Sequence, residues 1–171
     1  PLRYAVAKSL NTVAWQVYEQ VTPKVGLQYL KNMNFSSIVK DDYTLATSLG
    51  GFTKGVSPLE MASAYAALEN DGMFRQPNCI KSIVDADENV VYSSQMAEVS
   101  IYEKDATRTM TDVLTTVMDS GTGAALKLSN MPCAGKTGTT NDHKDGWFVG
   151  YTRYYTTSVW VGCDYPKSIS N

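Results

Sequence analysis

The 171-residue sequence predicts an α+β fold in which antiparallel sheet strands pack with helices. Three observations carry that prediction. Apolar residues recur at helical spacing in the segments that begin near Asn11, Ser57 and Asp105. Two short apolar runs, 147–151 and 157–163, follow a small-residue segment around Lys136 and are bounded by glycine or polar residues, the pattern of a three-stranded meander. The length and the 43% hydrophobic content suit one domain with a sizeable core, and no internal repeat, low-complexity stretch or linker divides the chain.

Taken in order, residues 2–8 read as a short helix that Ser9-Leu10-Asn11 interrupts. Asn11 is a suitable N-cap for the next helix, whose Val13, Ala14, Val17, Tyr18 and Val21 share one face. Pro23 opens another, with Val25, Leu27, Tyr29 and Leu30 as its apolar positions. Residues 32–57 read as a long irregular connection whose Gly50, Gly51 and Gly55 permit backbone shapes that other residues resist. Ser57-Pro58 with Glu60 is a capping box at a helix start. Leu59, Met61, Ala62, Tyr65, Ala66 and Leu68 are the expected buried stripe, and Asn70-Asp71-Gly72 the stop. Residues 80–86 and 90–92 predict a small hairpin away from the main sheet. Asp105 begins a helix to about Asp119 with Met110, Val113, Leu114 and Val117 inward. Gly121-Thr122-Gly123 breaks it as a turn between helices, with one further helical turn over 124–128. Gly121-Thr122-Gly123 lacks the Gly-Lys-Ser/Thr continuation of a phosphate loop.

A formal charge of -2, with no basic run, gives no basis for nucleic-acid binding. No apolar stretch is long enough for a transmembrane helix. Cys79, Cys133 and Cys163 form no ligand cluster, so no metal site is expected. With Cys133 and Cys163 on strands that flank a third, the thiols are expected to be free and mostly buried. His143 lies in a polar turn and reads as solvated.

The chemistry concentrates at residues 133–151. Strand alternation puts Lys136 and Gly138 on one face and Thr137 and Thr139 on the other. Gly138 leaves room for an approaching backbone, so an extended peptide could pair along this edge. Lys136 supplies a positive charge and the threonines supply hydroxyls suited to a carboxylate. That set fits an acylated peptide with a free C-terminus. Ser9 and Asn11, two residues apart, would diverge on a regular helix, but at a helix junction both can point into one cleft.

The run Ala134-Gly135-Lys136-Thr137-Gly138-Thr139-Thr140-Asn141-Asp142, with Asp145 and Trp147-Phe148-Val149-Gly150-Tyr151-Thr152 after it, resembles the transpeptidase domain of class A penicillin-binding proteins. Ser9-Leu10-Asn11 matches that family's S-x-N signature, in the required order before the K-T-G of Lys136. Residues 55–66 carry a further likeness and read as scaffold beneath the cleft. The resemblance implies a penicillin-binding/serine β-lactamase-like fold that is incomplete. Residues 1–171 would be a partial transpeptidase domain, with the S-x-x-K serine upstream. Ser37-Ile38-Val39-Lys40 follows S-x-N and stands in an irregular stretch, so it reads as coincidence.

For the parent enzyme the resemblance implies a serine acyl transferase that cross-links peptidoglycan stem peptides at D-Ala-D-Ala and is trapped by β-lactam antibiotics, without a cofactor. It further implies a glycosyltransferase domain upstream, and an anchor that holds the enzyme on the extracytoplasmic face of the bacterial membrane. Ser9 would relay a proton to the leaving nitrogen, Asn11 would hold the substrate's peptide carbonyl and steady the lysine of the S-x-x-K motif, and Lys136 would bond Ser9. The Thr139 N–H would serve an oxyanion hole, and Thr137 and Thr139 would take the terminal carboxylate. The fragment alone is expected to be inactive and to expose an apolar face, which the upstream part of the same domain, or further copies of the chain, would cover. The rival readings are a serine β-lactamase or D,D-carboxypeptidase of the same fold, or a non-catalytic module that binds stem peptides or β-lactams.

Overall fold

Helix starts fall where proline and hydroxyl side chains place them. In the computed structural model, which describes residues 1–169, α1 spans Leu2–Ala7, α2 Asn11–Val21, α3 Pro23–Asn32, α4 Pro58–Glu69 and α5 Lys104–Ser120. Pro23 and Pro58 sit in first turns, where a missing N–H costs nothing. Ser57 and Glu60 form the expected capping box: the Glu60 N–H donates to Ser57 Oγ at 3.2 Å and the Ser57 N–H to Glu60 Oε2 at 2.8 Å. Glu60 also accepts from the Ser36 N–H and hydroxyl. Burial alone would raise its pKa, but these hydrogen bonds outweigh that and hold it below the usual glutamate value. The N-cap of α2 is Leu10, not Asn11; Asn11 is the first helical residue and makes no capping bond. The chain leaves the preceding turn extended at Leu10 (φ -75°, ψ 107°), one residue before the expected cap.

The connection 32–57 is less irregular than its composition suggests. Two 3₁₀ turns, Lys40–Asp42 and Leu45–Leu49, are tied by the fully buried Asp42. Its carboxylate accepts from the Val39 N–H at 2.8 Å and from the Thr53 N–H and hydroxyl at 2.7 Å each, and its carbonyl accepts from the Thr47 hydroxyl. The Thr53 side-chain bond, then the backbone bonds from Thr53 and Val39, lower its pKa. A depressed carboxylate pKa contributes stability that is full above the unfolded value near 4 and is lost as pH falls through the folded value. Asp42→Asn sets an amide NH₂ against at least one N–H donor, so it is expected to cost about 2 kcal/mol at neutral pH. It should also flatten the loss of stability below about pH 4. Urea unfolding at pH 7 and pH 3 measures both effects.

The strands are β1 Met73–Arg75, β2 Ser82–Val84, β3 Val90–Ser93, β4 Glu98–Ser100, β5 Ala134–Thr139, β6 Asp145–Tyr151 and β7 Thr156–Gly162. The meander is as expected, antiparallel in the order β5-β6-β7. The predicted hairpin is β2–β3, a separate ribbon with every residue exposed. The pairing of β1 with β4 (Phe74 opposite Val99) spans the ribbon between them and leaves no local sequence signal.

Register divides the main sheet into two faces. Ala134 and Tyr151 pair, and they pack with Leu114 and Val117 of α5 and with Val6 of α1 and Tyr65 and Leu68 of α4. Tyr65 meets Tyr151 edge-on, and the Tyr151 hydroxyl bonds that of Thr111 at 2.8 Å. Burial pushes the Tyr65 phenol up to about 12. On the other face the Phe148 ring lies over Gly135 and Gly150, where any Cβ would collide with it. A second core joins Met33, Phe35, Ala67 and Phe74.

Several expected core positions lie outside. No residue of α2 is buried, and Val17 is 40% exposed. Leu59 (62%) and Met110 (41%) are also exposed, while Ala67, Thr107 and Met118 are buried in their helices. Periodicity marks an apolar stripe, but neighbours decide whether the stripe is covered. The cysteines are free, as expected, yet Cys79 and Cys163 are exposed and Cys133 is half-buried. Cys133 and Cys163 each fall one residue outside their strands, and Cys79 precedes the uncovered ribbon.

Candidate active site

Helix α1 ends in a Schellman turn. The Leu10 N–H donates to the Ala5 carbonyl at 2.9 Å and the Ser9 N–H to the Val6 carbonyl at 3.1 Å. The position between, normally glycine, is Ser9, at φ 55°. A side chain in the left-handed region costs about 1 kcal/mol. The turn aims the Ser9 hydroxyl at the sheet: Lys136 Nζ donates to Ser9 Oγ at 2.8 Å, across 127 residues of sequence. The same ammonium donates to the Thr137 carbonyl at 2.8 Å. Lys136 is half-buried, and burial pulls its pKa below that of an ordinary lysine.

Strand β5 is an edge. Its ladder with β6 continues through the Thr140 N–H, which donates to the Asp145 carbonyl at 3.1 Å. Backbone groups of an antiparallel strand alternate in direction, so those of Thr137 and Thr139 face the open side. The bond from Lys136 Nζ to the Thr137 carbonyl lies on that side. Gly138 faces Trp147, whose Cβ a side chain there would crowd at 3.2 Å. Cross-strand packing therefore accounts for this glycine, alongside the open approach expected from sequence. Thr139 is exposed. Asn11 is exposed two residues beyond Ser9, past the extended Leu10, and its side chain has no hydrogen-bond partner among the described residues.

The expected residues thus divide into those joined by bonds (Ser9, Lys136, Thr137) and those placed nearby on the same elements (Asn11, Gly138, Thr139). One member was missed. Thr122, read from sequence as part of a turn, sets its hydroxyl 2.6 Å from that of Thr137. Only the threonine between two glycines hinted at it. His143 is exposed at φ 50°. Ser37 lies in non-helical chain leading to an extended Val39, so Lys40 does not stand one helical turn from it. Among the described residues no three His, Cys, Asp or Glu side chains converge on a metal position.

Chemically, an ammonium that donates to Ser9 Oγ leaves the serine's own proton free to be given elsewhere. A partly desolvated cation beside outward-facing N–H groups and hydroxyls favours an anion along the strand edge.

Helices packed on one face of an antiparallel sheet, with an edge lysine bonded to a serine in a helix-to-helix turn, accord with the wider comparison. The chain belongs to the penicillin-binding protein transpeptidase domain family, whose model matches residues 1–164. It is 34% identical over 165 residues to penicillin-binding protein 4 of Bacillus subtilis, covering 96% of this chain and 26% of that protein. It is 38% identical over 168 residues to penicillin-binding protein 1A of Aquifex aeolicus, covering 98% and 22%. The chain therefore spans about a quarter or less of the length of these relatives. The structure of PonA1 from Mycobacterium tuberculosis in complex with penicillin V superposes with a TM-score of 0.83 at 24% identity, covering 98% of this chain and 49% of that one. Family and fold are those expected from the sequence.

Proposed function

We propose that these residues form one wall of the active site of a peptidoglycan D,D-transpeptidase. The observation that carries the reading is the bond from Lys136 Nζ to Ser9 Oγ. In the proposed reaction a serine from the preceding part of the domain attacks the D-Ala-D-Ala peptide bond. Ser9 passes a proton to the departing nitrogen, and Lys136 holds Ser9 and supplies positive potential. Asn11 bonds the substrate's peptide carbonyl and steadies the lysine that accompanies the nucleophile. The Thr139 N–H stabilises the oxyanion, and the hydroxyls of Thr137 and Thr139 take the terminal carboxylate. An amine from a second stem then takes the acyl group. β-Lactams enter as mimics of D-Ala-D-Ala. The parent enzyme, with its glycosyltransferase, works on the extracytoplasmic face of the membrane. Among the described residues no helix is long and apolar enough to cross a membrane.

The exposed apolar side chains of the first helices, among them Leu2, Tyr4, Trp15, Val21 and Val25, support a missing partner surface. The upstream part of the same domain covers them. Labelled penicillin tests the reading. The complete domain should be acylated and this chain alone should not; a covalent adduct on Ser37 of the isolated chain overturns it. Steady turnover of nitrocefin by the complete domain would favour the β-lactamase alternative. Ser9→Gly should leave the melting temperature unchanged or raised, because glycine suits the left-handed turn, yet slow acylation on the order of 10²-fold. A melting temperature that falls together with the rate would make Ser9 a structural residue instead.

A further inference from the structure

Thr122 lies in the turn after α5, and several bonds fix its place. Its N–H donates to the Ala7 carbonyl at 3.1 Å, and the N–H groups of Gly121 and Gly123 both donate to the Val117 carbonyl at 3.1 Å. Gly121 presses so closely on the Ala7 carbonyl that a Cβ there would collide with it. Lys8 Nζ donates to the Ser120 carbonyl at 2.9 Å. The turn is thereby fastened to the end of α1 that carries Ser9. Its one projecting polar side chain meets Thr137. Thr122 is exposed and Thr137 only half-buried, and a hydroxyl pair so placed adds little to stability, so the bond asks for another reason.

That reason lies in proton direction. The hydroxyl of Thr137 has one proton. If it donated to Thr122, Thr137 would offer a ligand anion only lone pairs. If Thr122 donates, the Thr137 proton is free for the anion and is made a stronger donor by the bond its oxygen accepts. Lys136 Nζ, already bonded to the Thr137 carbonyl, sets a positive potential that draws an anion to this side.

We propose that Thr122 is a positioning residue that donates its hydroxyl proton to Thr137 Oγ and so points the Thr137 hydroxyl at the carboxylate of a bound acyl donor. The inference rests on the transpeptidase reading and deepens it: the turn after α5 holds both the Ser9 end of α1 and the carboxylate-binding hydroxyl in one frame.

The test uses the complete transpeptidase domain with benzylpenicillin and its methyl ester, which lacks the carboxylate. Thr122→Val should lower the second-order acylation rate constant for the acid by roughly five- to tenfold, with little change for the ester. Thr122→Ser should restore the acid rate to within about twofold. Equal losses for acid and ester, or no loss for the acid, overturn the inference. So does a serine variant that behaves like valine. Melting within about 2 °C of the parent domain confirms that each variant is folded. If valine does not fold, the serine variant decides: a retained preference for the acid supports the inference, and loss of that preference overturns it. A parent domain that benzylpenicillin does not acylate sinks the transpeptidase reading itself.

Discussion

Lys136→Met is expected to slow acylation of the complete domain by labelled penicillin on the order of 10²- to 10³-fold, with little loss of stability. The ammonium donates to Ser9 Oγ and to the Thr137 carbonyl, so one substitution frees the Ser9 hydroxyl to turn away and removes the charge that, in the proposed function, attracts a carboxylate. Methionine keeps the volume of the lysine stem and spares the desolvation that burial imposes on a cation. The wild-type pH profile should agree. Burial places the Lys136 pKa below that of an ordinary lysine. Its charge is therefore lost as pH rises through that depressed value, and acylation by a carboxylate-bearing β-lactam should decline on the alkaline side before about pH 10.4. A methionine variant acylated at the parent rate would remove Lys136 from the chemistry.

Gly72→Ala is expected to be the most damaging methyl addition, at about 3 kcal/mol, or a melting temperature lower by roughly 6–12 °C. Gly72 has φ +91°, where a Cβ is strained, and that Cβ would run into the Tyr102 carbonyl oxygen and carbon. Neither backbone can withdraw cheaply. The Gly72 N–H donates to the Ala67 carbonyl at 2.8 Å, and its carbonyl accepts from the Ile101 and Tyr102 N–H groups at 2.9 and 3.2 Å. These bonds join the end of α4 to the lead into α5, which carries the turn that holds Thr122. Gly55→Ala is the control. It has φ +76° with nothing within 4 Å of a Cβ, so backbone strain alone, about 1 kcal/mol, is expected. Thermal melting of the two variants side by side separates strain from collision; equal losses would show that the Tyr102 contact yields.

The sequence by itself determined what short-range physics controls. The Ser57–Glu60 box and Pro23 and Pro58 needed only neighbours a few residues away, and the helix starts there are as read. Glycine and polar boundaries with period-2 alternation determined the β5-β6-β7 meander and the faces of Lys136 and Thr137. Motif order made Ser9 and Lys136 candidates for one cleft, though nothing local could bring them to 2.8 Å. Only the tertiary structure decided the rest. The left-handed Ser9 is held by the turn bonds to the Val6 and Ala5 carbonyls of α1 and by Lys136, which reaches its hydroxyl. The bond between Thr122 and Thr137 depends on where α5 sets its last turn against β5 and α1. The exposure of Val17, Leu59 and Met110 shows the same limit from the other side. An apolar period fixes which side chains share a face, whereas burial is a property of what packs against that face, and that is a long-range fact.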